Sequence, residues 1–269
     1  MKTCMFCGPT AAEMTAEHVM PLWLSRLFRD YAGVIRYRSV HKEDDLHTPN
    51  RSPLALVDRT RTARTMDLSV REVCQPCNNH WMSELEGIAQ PILSPLIRGS
   101  ATTLGDEQRL AIVAWIVKFA MVMENARSAD MKRFFTQVER EQFMDTLQPP
   151  PNTWMYLARH HGSPLTHTNQ KSLVSSPTPR PARELHVTTV AIGRLAFQFI
   201  ARRWVKEPRH DSLARQMAPI LAAWEPATVS IWPSDAKLVE WPPRAHLNDE
   251  GLKAFCNRWG TRTAARTPR

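Results

Sequence analysis

The sequence lacks a long uninterrupted apolar run. Its most apolar stretch, residues 110–123, contains Lys118 and is shorter than the ~20 residues that a membrane-spanning helix needs. The N-terminal segment MKTCMFCGPT has no apolar core of the kind found in a signal peptide. We therefore expect no membrane span and no secretion. A cytoplasmic, reducing location follows, in which paired cysteines bind metal more often than they form disulfides.

Acidic residues are outnumbered by basic ones. The chain has 26 Asp and Glu against 35 Lys and Arg, which gives a formal net charge of +9. An excess of positive charge favours polyanionic partners, nucleic acid first and an acidic membrane surface second. With 43% hydrophobic and 23% charged residues, the composition is that of a folded chain and excludes wholesale disorder. A length of 269 residues suits one large domain or two ordinary ones.

The first hundred residues mix strand-like and helix-like patterns. Apolar spacing predicts a helix over residues 22–31, and alternation predicts strands over 34–40 and 66–73, with a short strand at 17–20. Asn78 can cap a helix that continues to about residue 89. Residues 41–65 are polar and contain prolines, so we interpret them as a loop or insertion.

The pattern changes near residue 100. The second part is expected to contain a buried helix over 105–125, a helix over 130–147 that three prolines end, and a loop over 162–183. Short strands at 185–192 and 228–232 and a helix at 212–224 should follow. We predict an α+β fold of two parts, residues 1–100 and residues 101–269, of which the second is a mostly helical α+β region.

Cysteine is scarce, and four of the five cysteines form two CxxC pairs, Cys4 with Cys7 and Cys74 with Cys77. Each CxxC turn directs two sulfur atoms to the same side, and zinc takes four such ligands in a tetrahedron. Closing the 66 residues between the pairs costs roughly 4 kcal/mol of chain entropy, whereas structural zinc supplies about 10–16 kcal/mol. The pairs therefore predict one structural zinc ion.

Two other interpretations of the pairs are four ordinary buried cysteines and a redox-active CxxC. A redox protein needs one pair, and this chain has two, so metal binding explains the pattern better. Cys256 stands alone and is expected to be a core residue.

Short motifs accompany both pairs. Glu17-His18-Val19 lies between them, and Cys77 runs directly into the sequence Asn-Asn-His-Trp-Met of residues 78–82. An acidic residue and a histidine between two CxxC knuckles, with Asn after the last cysteine, resembles the HNH endonuclease superfamily. The subgroup that it resembles carries Glu-His-Val and Cys-Asn-x-x-Trp-Met. The resemblance covers residues 4–86.

The resemblance implies a zinc-stapled ββα-metal module, residues 1–100, that hydrolyses phosphodiester bonds of double-stranded DNA. His18 would be the general base that takes a proton from the attacking water, a task suited to a group that titrates near neutral pH. Glu17 and Asn78 would ligate a catalytic divalent ion, Mg²⁺ or Mn²⁺, distinct from the zinc. Residues 22–65 would be an insertion in the module.

Several positions depart from the common family pattern. Glu17 stands in place of the commoner Asp, Asn78 in place of the commoner His, and Trp81 where many members have Lys. The family's middle Asn has no clear match, and Asp67 or Ser69 could substitute for it. An unrelated interpretation is also open, in which residues 15–18 (Thr-Ala-Glu-His) form a capped helix start.

The other polar residues near these motifs and in the loops are expected to have ordinary structural roles. His80 should point away from the Asn78 face of its helix. Glu84 and Glu86 are expected to be ordinary helix residues, and three histidines near a loop are expected to be solvated, namely His160, His161 and His167.

Arginines crowd the insertion and the strand after it. Because guanidinium groups bind phosphate oxygens well, we expect Arg64 and Arg71 to contact nucleic acid. The competing function is a non-catalytic zinc-binding module that recognises nucleic acid or protein. A third possibility is a nuclease directed at RNA.

Overall fold

The computed structural model describes residues 2–28, 35–43, 55–63, 68–126, 133–162, 167–175, 183–204 and 224–258. The chain opens with a small hairpin of β1 (Lys2–Cys4) and β2 (Gly8–Thr10), which pair antiparallel. Gly8 has a φ of 77°, a left-handed conformation that glycine adopts at little cost and that lets the chain turn back after Cys7.

Two further strands form the framework of the N-terminal part. Strand β3 (Met14–His18) is followed by helix α1 (Leu22–Leu27), and β3 pairs antiparallel with β6 (Ser69–Cys74). Between them in sequence lie β4 (Ile35–Glu43) and β5 (Ala55–Ala63), which pair antiparallel with each other.

A helical stretch begins directly after β6. It consists of α2 (Gln75–Cys77), a π-helical turn (Asn78–Met82) and α3 (Ser83–Arg98). Pro76 lies in the first turn, where its fixed φ favours helix initiation. Gly99, with a φ of 81°, ends α3 in the left-handed conformation typical of a residue after a helix.

The remaining elements build a large sheet and the helices beside it. They are β7 (Thr102–Leu104), α4 (Asp106–Asn125), α5 (Gln137–Thr146), β8 (Thr153–Arg159), β9 (His167–Ser175), β10 (Arg183–Ile192), β11 (Leu195–Trp204), β12 (Thr228–Trp232), β13 (Val239–Trp241) and α6 (Asp249–Asn257). Seven strands form one sheet in the order β12-β8-β11-β10-β9-β4-β5, and β13 pairs with β7. Strand β4 joins this sheet parallel to β9.

Helix α4 lies at the centre of the molecule. From Ile112 to Asn125 all its side chains are buried, including the charged Lys118 and Glu124. One continuous hydrophobic cluster joins this helix to the cysteines and Phe6 of the N-terminal part and to Phe197 of β11. The core therefore continues across residue 100, where the two parts were predicted to meet.

The α+β class is confirmed. The predicted buried helix over 105–125 and the strands over 185–192 and 228–232 correspond to α4, β10 and β12. Residues 15–18 lie in β3, so the alternative of a capped helix start is wrong. The predicted helix at 212–224 falls almost entirely outside the described residues.

Two strands lie in segments that were predicted as loops. Strand β5 occupies part of residues 41–65, and β9 occupies part of residues 162–183. Both are rich in polar residues, so neither shows the alternation that marks a half-buried strand. They are strands because their backbones pair with neighbouring strands, which a local pattern of polar residues does not encode. Strand β9 also pairs with β4, which is distant in sequence.

Candidate metal centre and the adjoining Glu17–His18 site

The four predicted cysteine ligands converge on one point. Cys4 and Cys7 flank the turn of the first hairpin, Cys74 ends β6, and Cys77 follows in α2. Their Sγ atoms all lie within 4.8 Å of one another, and those of Cys7 and Cys74 are 3.6 Å apart. Tetrahedral zinc with bonds of about 2.3 Å would hold its sulfurs about 3.8 Å apart. The cluster can therefore hold a metal ion such as zinc.

The thiols of the cluster shift one another's pKa values. A hydrogen bond from the Cys77 thiol, helped by backbone hydrogen bonds, lowers the pKa of Cys4 to about 4 although burial opposes the shift. Burial, together with its thiol neighbours, raises the pKa of Cys7 to about 11. The backbone N–H of Cys74 donates to the Cys4 sulfur at 3.4 Å, a contact that stabilises a thiolate. Metal binding would complete this deprotonation and release protons.

Three aromatic side chains pack together beside the cysteine cluster. The ring of Trp81 meets Phe6 edge-on at 4.9 Å between centroids and Phe143 of α5 at 5.9 Å. The Cys77 sulfur lies 3.9 Å from the sulfur of Met144. Trp81 thus packs the cysteine knuckle against α5, and its ring faces the core.

Strand pairing connects the Glu-His motif to the cluster, and the two lie at opposite ends of the same strand pair. In the register of β3 and β6, Met14 faces Cys74 and His18 faces Ser69, with an irregularity between Thr15 and Glu17. The strand that carries the motif is therefore bonded to the strand that ends in a metal ligand. A helix that starts at Gln75 follows this strand pair directly.

Asn78 connects the helix to this strand pair. Its Nδ2 atom donates to the hydroxyl oxygen of Thr15 at 3.0 Å, and that hydroxyl donates to the carbonyl oxygen of Val73 at 3.1 Å. Asn78 was expected to cap the helix, but the helix begins three residues earlier at Gln75. Its side chain instead joins three segments of the module.

Glu17 lies in a buried ion-pair network. Its Oε1 atom is 2.9 Å from the Nζ atom of Lys118 in α4, and the same ammonium is 2.6 Å from Oε1 of Glu86 in α3. Burial alone would lower the pKa of Lys118, but the charges and hydrogen bonds of the two carboxylates outweigh it and raise the pKa above its usual value. The ammonium is therefore charged at neutral pH.

The role of Glu86 and Lys118 was missed from the sequence. Glu86 was expected to be an ordinary helix residue, and Lys118 appeared as an interruption of an apolar run. The interruption itself could have indicated the network. A lysine in a helix that is buried on every face needs a carboxylate partner.

His18 lies at the end of β3 with its ring half-buried. Within the described residues its Nδ1 atom is buried and has no hydrogen-bond partner. Ser69, one of the two candidates for the family's middle Asn, is opposite His18 and exposed. Asp67, the other candidate, lies outside the described residues, as does Arg64; Arg71 is exposed on β6.

The site is a poor fit for a resident divalent ion. The Glu17 carboxylate already faces a buried ammonium at 2.9 Å. Among the described residues, the four cysteines are the only group of three or more His, Cys, Asp or Glu side chains close enough to hold a metal. Binding of Mg²⁺ or Mn²⁺ by Glu17 and Asn78 stays a prediction.

The remaining histidines differ from one another. His80 is exposed. The solvated assignment of His160 is wrong: it is 1% exposed, and its ring nitrogens lie 3.2 Å from the carbonyl oxygen of Gly193 and 3.2 Å from Asp249 Oδ1. His161 is exposed and stacks on His246 at 4.6 Å between ring centroids. Only the backbone of His167 is described.

No helix within the described part of the chain combines the length and apolar character required to cross a membrane. Neither a protein-family model, nor a curated protein, nor a solved structure matches this chain.

Proposed function

We propose that this chain is a zinc-stapled endonuclease that hydrolyses phosphodiester bonds of DNA, with His18 as the general base. The observation that carries the proposal is the position of His18, on a strand bonded to the strand that enters the four-cysteine cluster. The helix that follows the cluster starts beside the same strand. This arrangement of two strands and a helix supports the resemblance to HNH endonucleases.

In this proposal the zinc is structural. The cysteines lie in a hairpin at the N-terminus and at the junction of β6 and α2, and a tetrahedral ion would fix these distant segments to each other. Fixing them also sets the position of β3, because β3 pairs with β6. The ion would hold the Glu17–His18 motif in place without taking part in the reaction.

His18 would act through the ring nitrogen that can reach solvent. Since Nδ1 is enclosed, Nε2 is the candidate to accept a proton from water. The deprotonated water would attack phosphorus and break one of its two bonds to sugar oxygens, and the oxygen that leaves would take a proton from solvent. The basic surface would hold the backbone of the nucleic acid during this step. Arg71, exposed on β6, and a net charge of +9 support attraction of a polyanion. Because Glu17 is already paired with Lys118, no step of this mechanism uses a divalent ion.

The proposal is tested with zinc-loaded protein and supercoiled plasmid, in buffer with Mg²⁺, with Mn²⁺ and with neither. We expect nicked and linear products from the wild type and, for His18→Ala, a rate lower by about 10²–10⁴-fold, the usual contribution of a general base. His80→Ala is the matched control, because that histidine is exposed on the helix and should leave cleavage unchanged. Partial recovery of the His18→Ala rate by added imidazole would separate a chemical role from a structural one.

The catalytic proposal fails if the wild type and His18→Ala cleave equally, or if the wild type cleaves in none of the three buffers. RNA in place of plasmid, in the same assay, decides which nucleic acid is the substrate.

One observation favours a second candidate, a non-catalytic zinc module that recognises nucleic acid. The carboxylate that resembles a metal ligand is neutralised inside the protein by Lys118. A module of this kind would bind DNA with equal affinity as wild type and as His18→Ala, and neither would cleave it.

A further inference from the structure

Lys118 is the most enclosed charged group of the N-terminal site. Its side chain is 2% exposed, and it extends from α4 to Glu17 of β3 and Glu86 of α3. Nζ lies 2.9 Å from one carboxylate and 2.6 Å from the other. One cation therefore bridges two carboxylates from separate elements, which is also how a divalent ion is commonly held in a protein.

We propose that the ammonium of Lys118 takes the place of the divalent ion that the HNH resemblance implies at Glu17. The chain then binds a metal ion at its four cysteines and no Mg²⁺ or Mn²⁺ at Glu17. This inference concerns the same site as the proposed function, and its significance for catalysis rests on that function. Its test measures metal binding and gives an answer whether or not the chain cleaves DNA.

Charge and burial both exclude a second cation at this position. A divalent ion on the Glu17 carboxylate would lie within a few ångströms of a fixed positive charge, in surroundings where water screens little. Mg²⁺ also retains several of its waters when it binds protein, and the Glu17 side chain is only 9% exposed. While the ammonium fills the space between the two carboxylates, the Glu17 oxygen that faces it is therefore closed to a hydrated ion.

The same burial limits what Lys118 can do itself. A side chain that is 2% exposed has no contact surface for a phosphate group of nucleic acid. Lys118 is therefore a positioning residue, which holds β3, α3 and α4 together and fixes the carboxylate next to His18.

The test titrates zinc-loaded protein with Mn²⁺ and measures the unbound ion by its electron paramagnetic resonance signal. For the wild type we expect all added Mn²⁺ to remain unbound up to millimolar concentration. Lys118→Met removes the ammonium, keeps an unbranched apolar side chain, and leaves the two carboxylates without a cation between them. It should bind Mn²⁺ tighter than the wild type by about tenfold or more, because the repelling charge is gone.

Two further variants serve as controls. Arg140→Met removes a cation that is also buried against a carboxylate, that of Glu124, and should gain no Mn²⁺ binding. Adding Glu86→Gln to Lys118→Met should abolish the gain, because one of the two carboxylates is lost.

Binding of one Mn²⁺ per chain by the wild type, removed by Glu17→Gln, would overturn the inference. So would a folded, zinc-loaded Lys118→Met protein that binds no more Mn²⁺ than the wild type, because the lysine would then not be what excludes the ion. If Lys118→Met does not fold, the inference is decided by comparing Mn²⁺ binding of the wild type with that of Glu17→Gln. Failure of the plasmid assay leaves these measurements unaffected, so the two proposals fail separately.

Discussion

The side-chain amide of Asn78 donates to the hydroxyl of Thr15 at 3.0 Å, across 63 positions of sequence. The Thr15 hydroxyl in turn donates a hydrogen bond to the carbonyl oxygen of Val73. One short chain of hydrogen bonds thus links the start of the helix, β3 and β6 at the point where the strand register is irregular. An Asn after the last cysteine has a structural task here, independent of any metal ion.

This linkage predicts coupled stability effects. Asn78→Ala and Thr15→Val should each lower the free energy of unfolding by about 1 kcal/mol, the usual net contribution of a hydrogen bond. The double variant should lose less than the sum, because both changes remove the same bond. Urea unfolding followed by tryptophan fluorescence measures all four proteins. Additive losses would show that the contact carries no energy.

The sequence predicted the cysteine cluster because four cysteines in two CxxC turns have few other uses. The alternation of residues 66–73 also predicted β6, the strand that pairs with β3. The sequence could not predict that Glu17 faces Lys118, since these residues are 101 positions apart and only the packing of α4 joins them. The parallel pairing of the polar strand β9 with β4, 131 positions apart at Arg36 and His167, was missed for the same physical reason.

The cysteine cluster predicts that metal content and stability depend on the four ligands together. Cys74→Ser should reduce bound zinc, measured by native mass spectrometry, and should lower the melting temperature markedly, because structural zinc supplies folding energy. Cys256→Ser is the control, since that buried cysteine lies in a separate apolar cluster and its change should leave the zinc content intact. Equal zinc in both variants would contradict a four-cysteine site.

The ion-pair network predicts an asymmetric response to mutation. Glu17→Gln and Lys118→Met each remove one partner of a buried ion pair and leave the other charge without it. Such a change typically lowers the free energy of unfolding by about 3–5 kcal/mol. Glu86→Gln should cost less, because its side chain is 24% exposed whereas that of Glu17 is 9% exposed. Guanidinium unfolding of zinc-loaded proteins gives the three values. A Glu86→Gln loss as large as that of Lys118→Met would mean that Glu86 is the principal partner of the lysine.

Two glycines predict opposite responses to the same substitution. A β-carbon on Gly162 would lie 1.8 Å from Asp249 Oδ1 and 2.5 Å from His160 Nε2, so Gly162→Ala must break the contact between these side chains. The histidine has little room to move, because it is 1% exposed and its other ring nitrogen is 3.2 Å from the carbonyl oxygen of Gly193. We expect a loss of about 1–3 kcal/mol, as for other overpacked sites.

Gly87 is the matched control. It lies inside α3, and a β-carbon there would meet nothing within 4 Å. Gly87→Ala should therefore raise the free energy of unfolding by about 0.5–1 kcal/mol, the difference in helix propensity between the two residues. Both variants are compared with the wild type by thermal and urea unfolding. A neutral Gly162→Ala would show that His160 and Asp249 can part without cost, and that their contact does not hold α6 against the end of β8.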